Sequence, residues 1–172
     1  MQLLTTGGRK KIKKEIIDVI EYLGFSLMNM NEIRSRRTFN QYRIDYNQIH
    51  ANSFLKQAIV VETAFQTESY PTENVYIQSM ISDFLEQKGR KDLIKQYEME
   101  PFQIIVQSKE RTLVDKVYAL GDYYLSNKFE EHSRHIYDIY MLTKCIELTD
   151  EIAYMFCDIR KLRQVNKYCY SA

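Results

Sequence analysis

The sequence predicts an α+β fold: a mixed or antiparallel sheet with flanking helices, followed by a helical C-terminal region. Three observations carry this. An amphipathic helical pattern opens the chain, β-branched and aromatic segments bounded by turn residues follow it, and beyond "PFQIIVQ" apolar residues recur only at helical spacing. Strands gathered first and helices after them belong to the α+β class, not to alternating βαβ units. With 172 residues, 45% of them hydrophobic, the chain is expected to form a single domain over 1–172 with a real core. Within it, residues 1–107 read as an α/β part and 108–172 as a helical part.

The opening helix is placed over 9–23. In "RKKIKKEIIDVIEYLGF", Ile12, Ile16, Ile17, Val19, Ile20 and Leu23 follow a helical period, and Gly24 stands where the helix should stop. Its Lys and Arg cluster at the N-terminal end, where the helix dipole disfavours positive charge, which points to an anionic neighbour or to sequence upstream. Three strands follow, in "RTFNQYRIDYN" (37–47), "LKQAIVVETAFQ" (55–66) and "NVYIQSM" (74–80), read as antiparallel neighbours joined by short polar turns. Residues 81–99 read as two short helices broken near Gly89, and 101–107 as a further strand. Helices over 108–126, 131–147 and 149–168 complete the chain.

Composition narrows function mainly by exclusion. Lys plus Arg number 24 against 23 Asp plus Glu, so net charge exerts no general pull toward nucleic acid or anionic lipid, and any basic surface must be local. The runs Arg9–Lys14 and Arg160–Lys167 are the candidates, although solvated charge is the commoner reason for such runs. Apolar runs such as "AIVVETAF" fall far short of the roughly 20 residues that span a bilayer. No signal-peptide pattern appears at the N-terminus, and a cytoplasmic protein with no membrane partner is expected. Cys145, Cys157 and Cys169, an odd number without a CxxC pair, suggest buried, inert thiols instead of a disulfide framework or zinc site.

The ionisable residues are more informative. On the helix over 108–126, Leu113, Val117, Leu120 and Tyr124 form one stripe and Val114, Tyr118, Gly121 and Leu125 the next, which leaves Lys116 at the margin of the buried face beside Asp115. A lone lysine there ordinarily snorkels to water. On the following helix Arg134 and Asp138 stand four apart with the base first, the weaker order for stabilising a helix, so the pair is expected to meet something outside its own helix. In the second strand, Glu62 shares a face with Lys56, Ala58, Val60 and Ala64 and interrupts its apolar middle. A carboxylate on an apolar face is costly unless it is paired, holds a metal, or borders an open site.

The segment "ERTLVDKVYALGDYYLSNKFEEHSRHIYDIYML" resembles the paired C-terminal motifs of the AbiEii/AbiGii toxin family of nucleotidyltransferases, an E-R-T-x-x-[ED]-K segment followed by R-H-x-Y-D-L. The matching residues are Glu110, Arg111, Thr112, Asp115 and Lys116, then Arg134, His135, Tyr137 and Asp138, with Ile139 in place of Leu. Looser similarity extends from about residue 9 to 147, with Glu62 in a "V-E" position. The resemblance implies a DNA-polymerase-β-like nucleotidyltransferase fold in which strand carboxylates hold magnesium ions on a nucleoside triphosphate (NTP) and attack at the α-phosphate displaces pyrophosphate. Carried across, Lys116 contacts the triphosphate, with Arg111 and Thr112 on the nucleotide side. Asp138 orients or deprotonates the acceptor, Arg134 holds Asp138 or a phosphate, and Glu62 is the third metal-binding carboxylate. The implied biology is a toxin of a type IV toxin–antitoxin or abortive-infection system that acts on an acceptor such as tRNA and is paired with a cognate antitoxin.

One departure qualifies the match. The family's first motif, a Gly-Ser or Gly-Gly-Thr-Ser turn followed by a strand bearing Asp-x-Asp, is absent: "TTGGRKK" offers a Gly pair without the Ser, and no Asp-x-Asp occurs anywhere in the sequence. Magnesium binds through carboxylates and substrate phosphates, so Glu62 alone makes a weak site and the chain is expected to be inactive or impaired. A truncated product, a fragment, or a degenerate member that kept the fold would each read this way. The alternative is a non-catalytic remnant or an RNA- or protein-binding module with the same fold.

Overall fold

The computed structural model describes residues 5–47, 56–65, 70–128, 130–164 and 169–171. They form two compact units, one within residues 1–68 and one within residues 69–172.

In the first unit, α1 (Thr6–Tyr22) is capped by Thr5, whose hydroxyl accepts from the Gly8 N–H at 3.2 Å. It ends at Leu23, and Gly24 turns the chain with φ of 79°, a left-handed conformation that costs glycine little. Three strands follow: β1 (Ser26–Leu27), β2 (Phe39–Asp45) and β3 (Ala58–Ala64), antiparallel in the order β1-β2-β3. Asn40, Tyr42 and Ile44 of β2 are buried while Phe39, Arg43 and Asp45 are exposed, the period of two expected of a half-covered sheet. Tyr42 and Ile44 join Ile20 and Ile33 in a core cluster, with Ile16, Ile17 and Leu27 against it.

Two buried asparagines stitch the loop between β1 and β2. Asn40 accepts from the Arg34 N–H at 2.8 Å and donates to the Arg34 carbonyl at 3.1 Å, while Asn29 donates to the Gln41 carbonyl and accepts from the Arg43 N–H, both at 3.0 Å. Each amide stands in for a strand's backbone and satisfies groups that burial would otherwise leave unpaired.

The second unit begins with β4 (Thr72–Ile77), then α2 (Met80–Gln87), α3 (Lys91–Gln96) and β5 (Phe102–Gln107). Gly89, with φ of 70°, makes the expected break between α2 and α3. The helices α4 (Lys109–Leu125), α5 (Arg134–Thr143) and α6 (Asp150–Arg163) follow. Leu113, Val114, Ile146, Ile152 and Ile159 form their shared core, packed by Tyr118, Ile139, Leu142, Met155 and Phe156. Burying each such side chain is worth about 1.5–3 kcal/mol.

Three expectations are corrected. The strands read as three neighbours belong to two sheets: β2 pairs with β3, whereas β4 pairs antiparallel with β5 in its own two-stranded sheet. Strand propensity marks extended segments but does not say which partner supplies the hydrogen bonds. Glu62 does not interrupt a buried apolar face. It opposes Gln41 in the register, on the face of Arg43 and Asp45, and is exposed, while Ile59 and Val61 oppose the buried Ile44 and Tyr42. Cys145 and Cys157 are exposed and Cys169 is half-buried, and none joins the buried cluster of the helical core. Parts of the expected second strand (Leu55, Gln66) and last helix (165–168, including Lys167) lie outside the described residues.

Candidate functional site

The candidate site is built on α4 and α5. Ser108 caps α4, its hydroxyl accepting from the Arg111 N–H at 3.2 Å while its own N–H donates to the Pro71 carbonyl at 2.9 Å. The first turn is thereby held against the start of β4. Thr112 donates its hydroxyl hydrogen to the Ser108 carbonyl at 2.8 Å.

Arg111 is a buried cation, 2% exposed. Its Nη1 donates to the Tyr70 carbonyl at 2.7 Å, and its Nε lies 3.2 Å from both carboxylate oxygens of Asp115. The Gln107 amide donates to Asp115 at 2.9 Å, so this carboxylate is held from two elements. The Arg111 Nη2 is buried with no hydrogen-bond partner among the described residues. Removing water from a guanidinium is costly, and here the carboxylate and the backbone carbonyl offset that cost.

One turn further along α4, Lys116 reaches α5. Its Nζ donates to Asp138 Oδ2 at 2.8 Å and lies 3.1 Å from His135 Nδ1. Lys116 and Asp138 are each about a third exposed, so the pair is open to a ligand. His135 is buried and stacks on Tyr123, with ring centroids 5.5 Å apart and planes within 3°, while His132 stacks on the same tyrosine at 3.7 Å. These rings fix the imidazole so that Nδ1 faces the ammonium.

The electrostatics follow from this packing. Burial pushes the His135 pKa down, and the nearby Lys116 and Arg134 push it further, against an opposing pull from Asp138. A neutral ring with its proton on Nε2 leaves Nδ1 to accept from Lys116. The Lys116 hydrogen bond holds Asp138 below the usual carboxylate range, with the charge of the same lysine adding to it.

The structure brings Lys116 and Asp138 together across 22 residues of sequence. Arg134, four residues before Asp138, is exposed, and the partners of Asp138 among the described residues are Lys116 and His135. Glu62 lies in the first unit, accepting from the Gln41 amide at 2.9 Å. Among the described residues no group of three His, Cys, Asp or Glu side chains is placed to hold a metal ion. That donor set does not fit a paired magnesium site. His135, Tyr123, His132 and Gln107 are site residues to which the motif match assigns no role. The spacing of His132, His135 and Asp138 at successive steps of three was the available signal for the first of these.

Antiparallel sheets with flanking helices are consistent with an α+β nucleotidyltransferase-like fold, and the lysine–carboxylate pair sits on its helical region. The family model described as nucleotidyl transferase AbiEii toxin, type IV toxin–antitoxin system, matches residues 3–165. The chain belongs to this family and is a nucleotidyltransferase-like toxin of that kind of system. No curated protein and no solved structure matches it. No helix among the described residues is long and apolar enough to cross a membrane.

Proposed function

We propose that the Lys116–Asp138 pair is the triphosphate and acceptor side of a nucleotidyl-transfer site whose acceptor is an RNA such as tRNA. The observation that carries this reading is the 2.8 Å hydrogen bond between them, partly exposed and backed by a buried imidazole. In the resting pair each partner masks the other. An arriving triphosphate competes with Asp138 for Lys116, because phosphate oxygens accept charge-assisted hydrogen bonds at least as well as a carboxylate. When Lys116 transfers to the phosphate, Asp138 loses the contact that holds its pKa down and becomes a better base for an acceptor hydroxyl.

Arg134, exposed at the start of α5, is available to a phosphate in this scheme. Thr112 and Arg111, whose guanidinium is buried, support the nucleotide side by fixing the first turn of α4. Glu62 is a single exposed carboxylate, and the sequence holds no Asp-x-Asp. No step is therefore routed through magnesium, and transfer by this chain is impaired. The protein acts in the cytoplasm, where its triphosphate, RNA acceptor and antitoxin partner would meet it.

The test separates binding from transfer. Calorimetry with each NTP should show binding that falls about 10- to 100-fold in Lys116→Ala, the loss of one charge-assisted contact. Asp138→Ala should bind triphosphate at least as well as the unaltered protein, since it frees the lysine. With α-labelled triphosphates, magnesium and total tRNA, label transfer should be weak or absent. Robust transfer that survives both substitutions would overturn the assignment.

A further inference from the structure

In the first unit, two basic runs distant in sequence are tied together. Arg9 on α1 donates through Nε to the Ser35 carbonyl at 3.1 Å, and Lys13, one turn later, donates to the Ile33 carbonyl at 3.3 Å. These bonds fasten "RKKIKK" to the loop bearing Arg34, Arg36 and Arg37. Arg34 and Arg37 donate to the backbone carbonyls of Ile33 and Glu32, both at 3.2 Å. Carbonyls orient a guanidinium but do not cancel its charge. Lys11 and Lys14, by contrast, pair with Glu15 and Asp18 along the helix. Among the described residues Lys13, Arg34, Arg36 and Arg37 have no carboxylate within ion-pair distance.

The charge is concentrated here. Residues 5–37 carry eight Lys and Arg against four Asp and Glu, a net +4 within a chain of +1, so the remainder is net negative. The first turn of α1 contains no acidic residue, so its cations oppose the helix dipole as well as one another. An anionic ligand relieves both.

We propose that Arg9, Lys10, Lys13, Arg34, Arg36 and Arg37 form a docking surface for the phosphodiester backbone of RNA. That this RNA is the acceptor rests on the transfer reading above; that the surface binds RNA does not. A bilayer fits poorly, because Ile16, Ile17 and Ile20 of α1 are committed to the core and the exposed Val19, Tyr22 and Leu23 lie toward the opposite end of the helix from the cations. An acidic protein partner also fits poorly. Met30 and Phe39 flank the arginine loop, but no exposed large apolar side chain falls within residues 9–14 or 33–38, whereas protein interfaces centre on such anchors. Backbone phosphates require charge at intervals and no apolar centre.

The test uses the full chain without triphosphate or magnesium, so it remains informative if transfer fails. Binding of a fluorescent RNA hairpin is followed by anisotropy as potassium chloride is raised. Each phosphate neutralised on a duplex contributes about 0.9 to the slope of log affinity against log salt. The triple variant Arg34→Ala, Arg36→Ala, Arg37→Ala should reduce the slope by about 2–3 and the affinity by about tenfold or more in moderate salt. Arg36→Glu, at a side chain without a hydrogen bond among the described residues, should weaken binding in the same direction and guards against a folding defect. Lys161→Ala, which removes a cation already paired with Asp158 on α6, should leave binding unchanged. A slope unaltered in the triple variant, or polyglutamate that displaces the hairpin with the same sensitivity to these substitutions, would overturn the proposal.

Discussion

His135 has the most constrained surroundings of the ionisable side chains at the candidate site: a stacked tyrosine behind it, the Lys116 ammonium against Nδ1, Arg134 next to it in the chain, and Asp138 at 3.6 Å. Its depressed pKa has a consequence for stability. The unfolded chain takes up a proton near the ordinary histidine value of about 6.5, while the folded chain resists until lower pH. Unfolding therefore becomes easier as pH falls through about 6.5, with a slope of at most about 1.4 kcal/mol per pH unit for this one group, until the folded imidazole also protonates. Asp138 acts in a separate, more acidic window. Its lowered pKa gives stability that is present above the usual carboxylate range and is lost as pH falls through the depressed value. Urea unfolding between pH 5 and 7.5 should show the upper loss in the unaltered protein and a flatter profile in His135→Gln; parallel profiles would remove His135 as the cause. The residue pattern gave part of this. Lys116 at the edge of its stripe, and Asp138 of the reversed Arg134–Asp138 pair, are side chains that look beyond their own helix. Their pairing partners were hidden, because a 3.6-residue period states which face a side chain occupies but not what faces it.

At the scale of the element, α4 serves as a rail whose first turn sets the position of Lys116. Its cap, Ser108, is itself buried and is bonded to the Pro71 carbonyl. Ser108→Ala should cost about 1 kcal/mol, up to about 2, since the Arg111 N–H loses its acceptor in a buried setting. Because Arg111 and Thr112 stand on this turn and Arg111 holds Asp115 on the next, the same variant should also weaken triphosphate binding measured by calorimetry. A loss of stability with unchanged binding would show that the turn does not position the site. Most elements were legible from periodicity and stop signals: α1 with Gly24, the α2–α3 break at Gly89, and the three terminal helices. β1, two residues long, gave no pattern to read. The separation into two sheets was equally silent, since register depends on hydrogen-bond partners distant in sequence. Of the asparagines that stitch the β1–β2 loop, Asn29 looks like an ordinary turn residue and Asn40 like a strand residue until burial and pairing are known.

For the whole molecule, the features that define the family and those that would drive its chemistry are unequally represented. The C-terminal motifs form a real pair in space, whereas the carboxylates a paired magnesium site needs are reduced to Glu62 among the residues singled out for that role. This imbalance can be measured as linkage. A ligand that binds only the folded state stabilises it by RT ln(1 + [L]/Kd), so magnesium at a concentration equal to its Kd adds about 0.4 kcal/mol. For a chain of this length that shifts Tm by only about 1–2 °C. Thermal unfolding in about 5 mM magnesium should therefore move Tm by no more than this, and Glu62→Ala should follow the unaltered protein at every concentration, because a single carboxylate already hydrogen-bonded by Gln41 has little to lose. NTP alone should stabilise the protein in a manner that Lys116→Ala removes. A magnesium shift of several degrees that disappears in Glu62→Ala would mean that the chain assembles a metal site around that carboxylate, and transfer activity would then be expected of it.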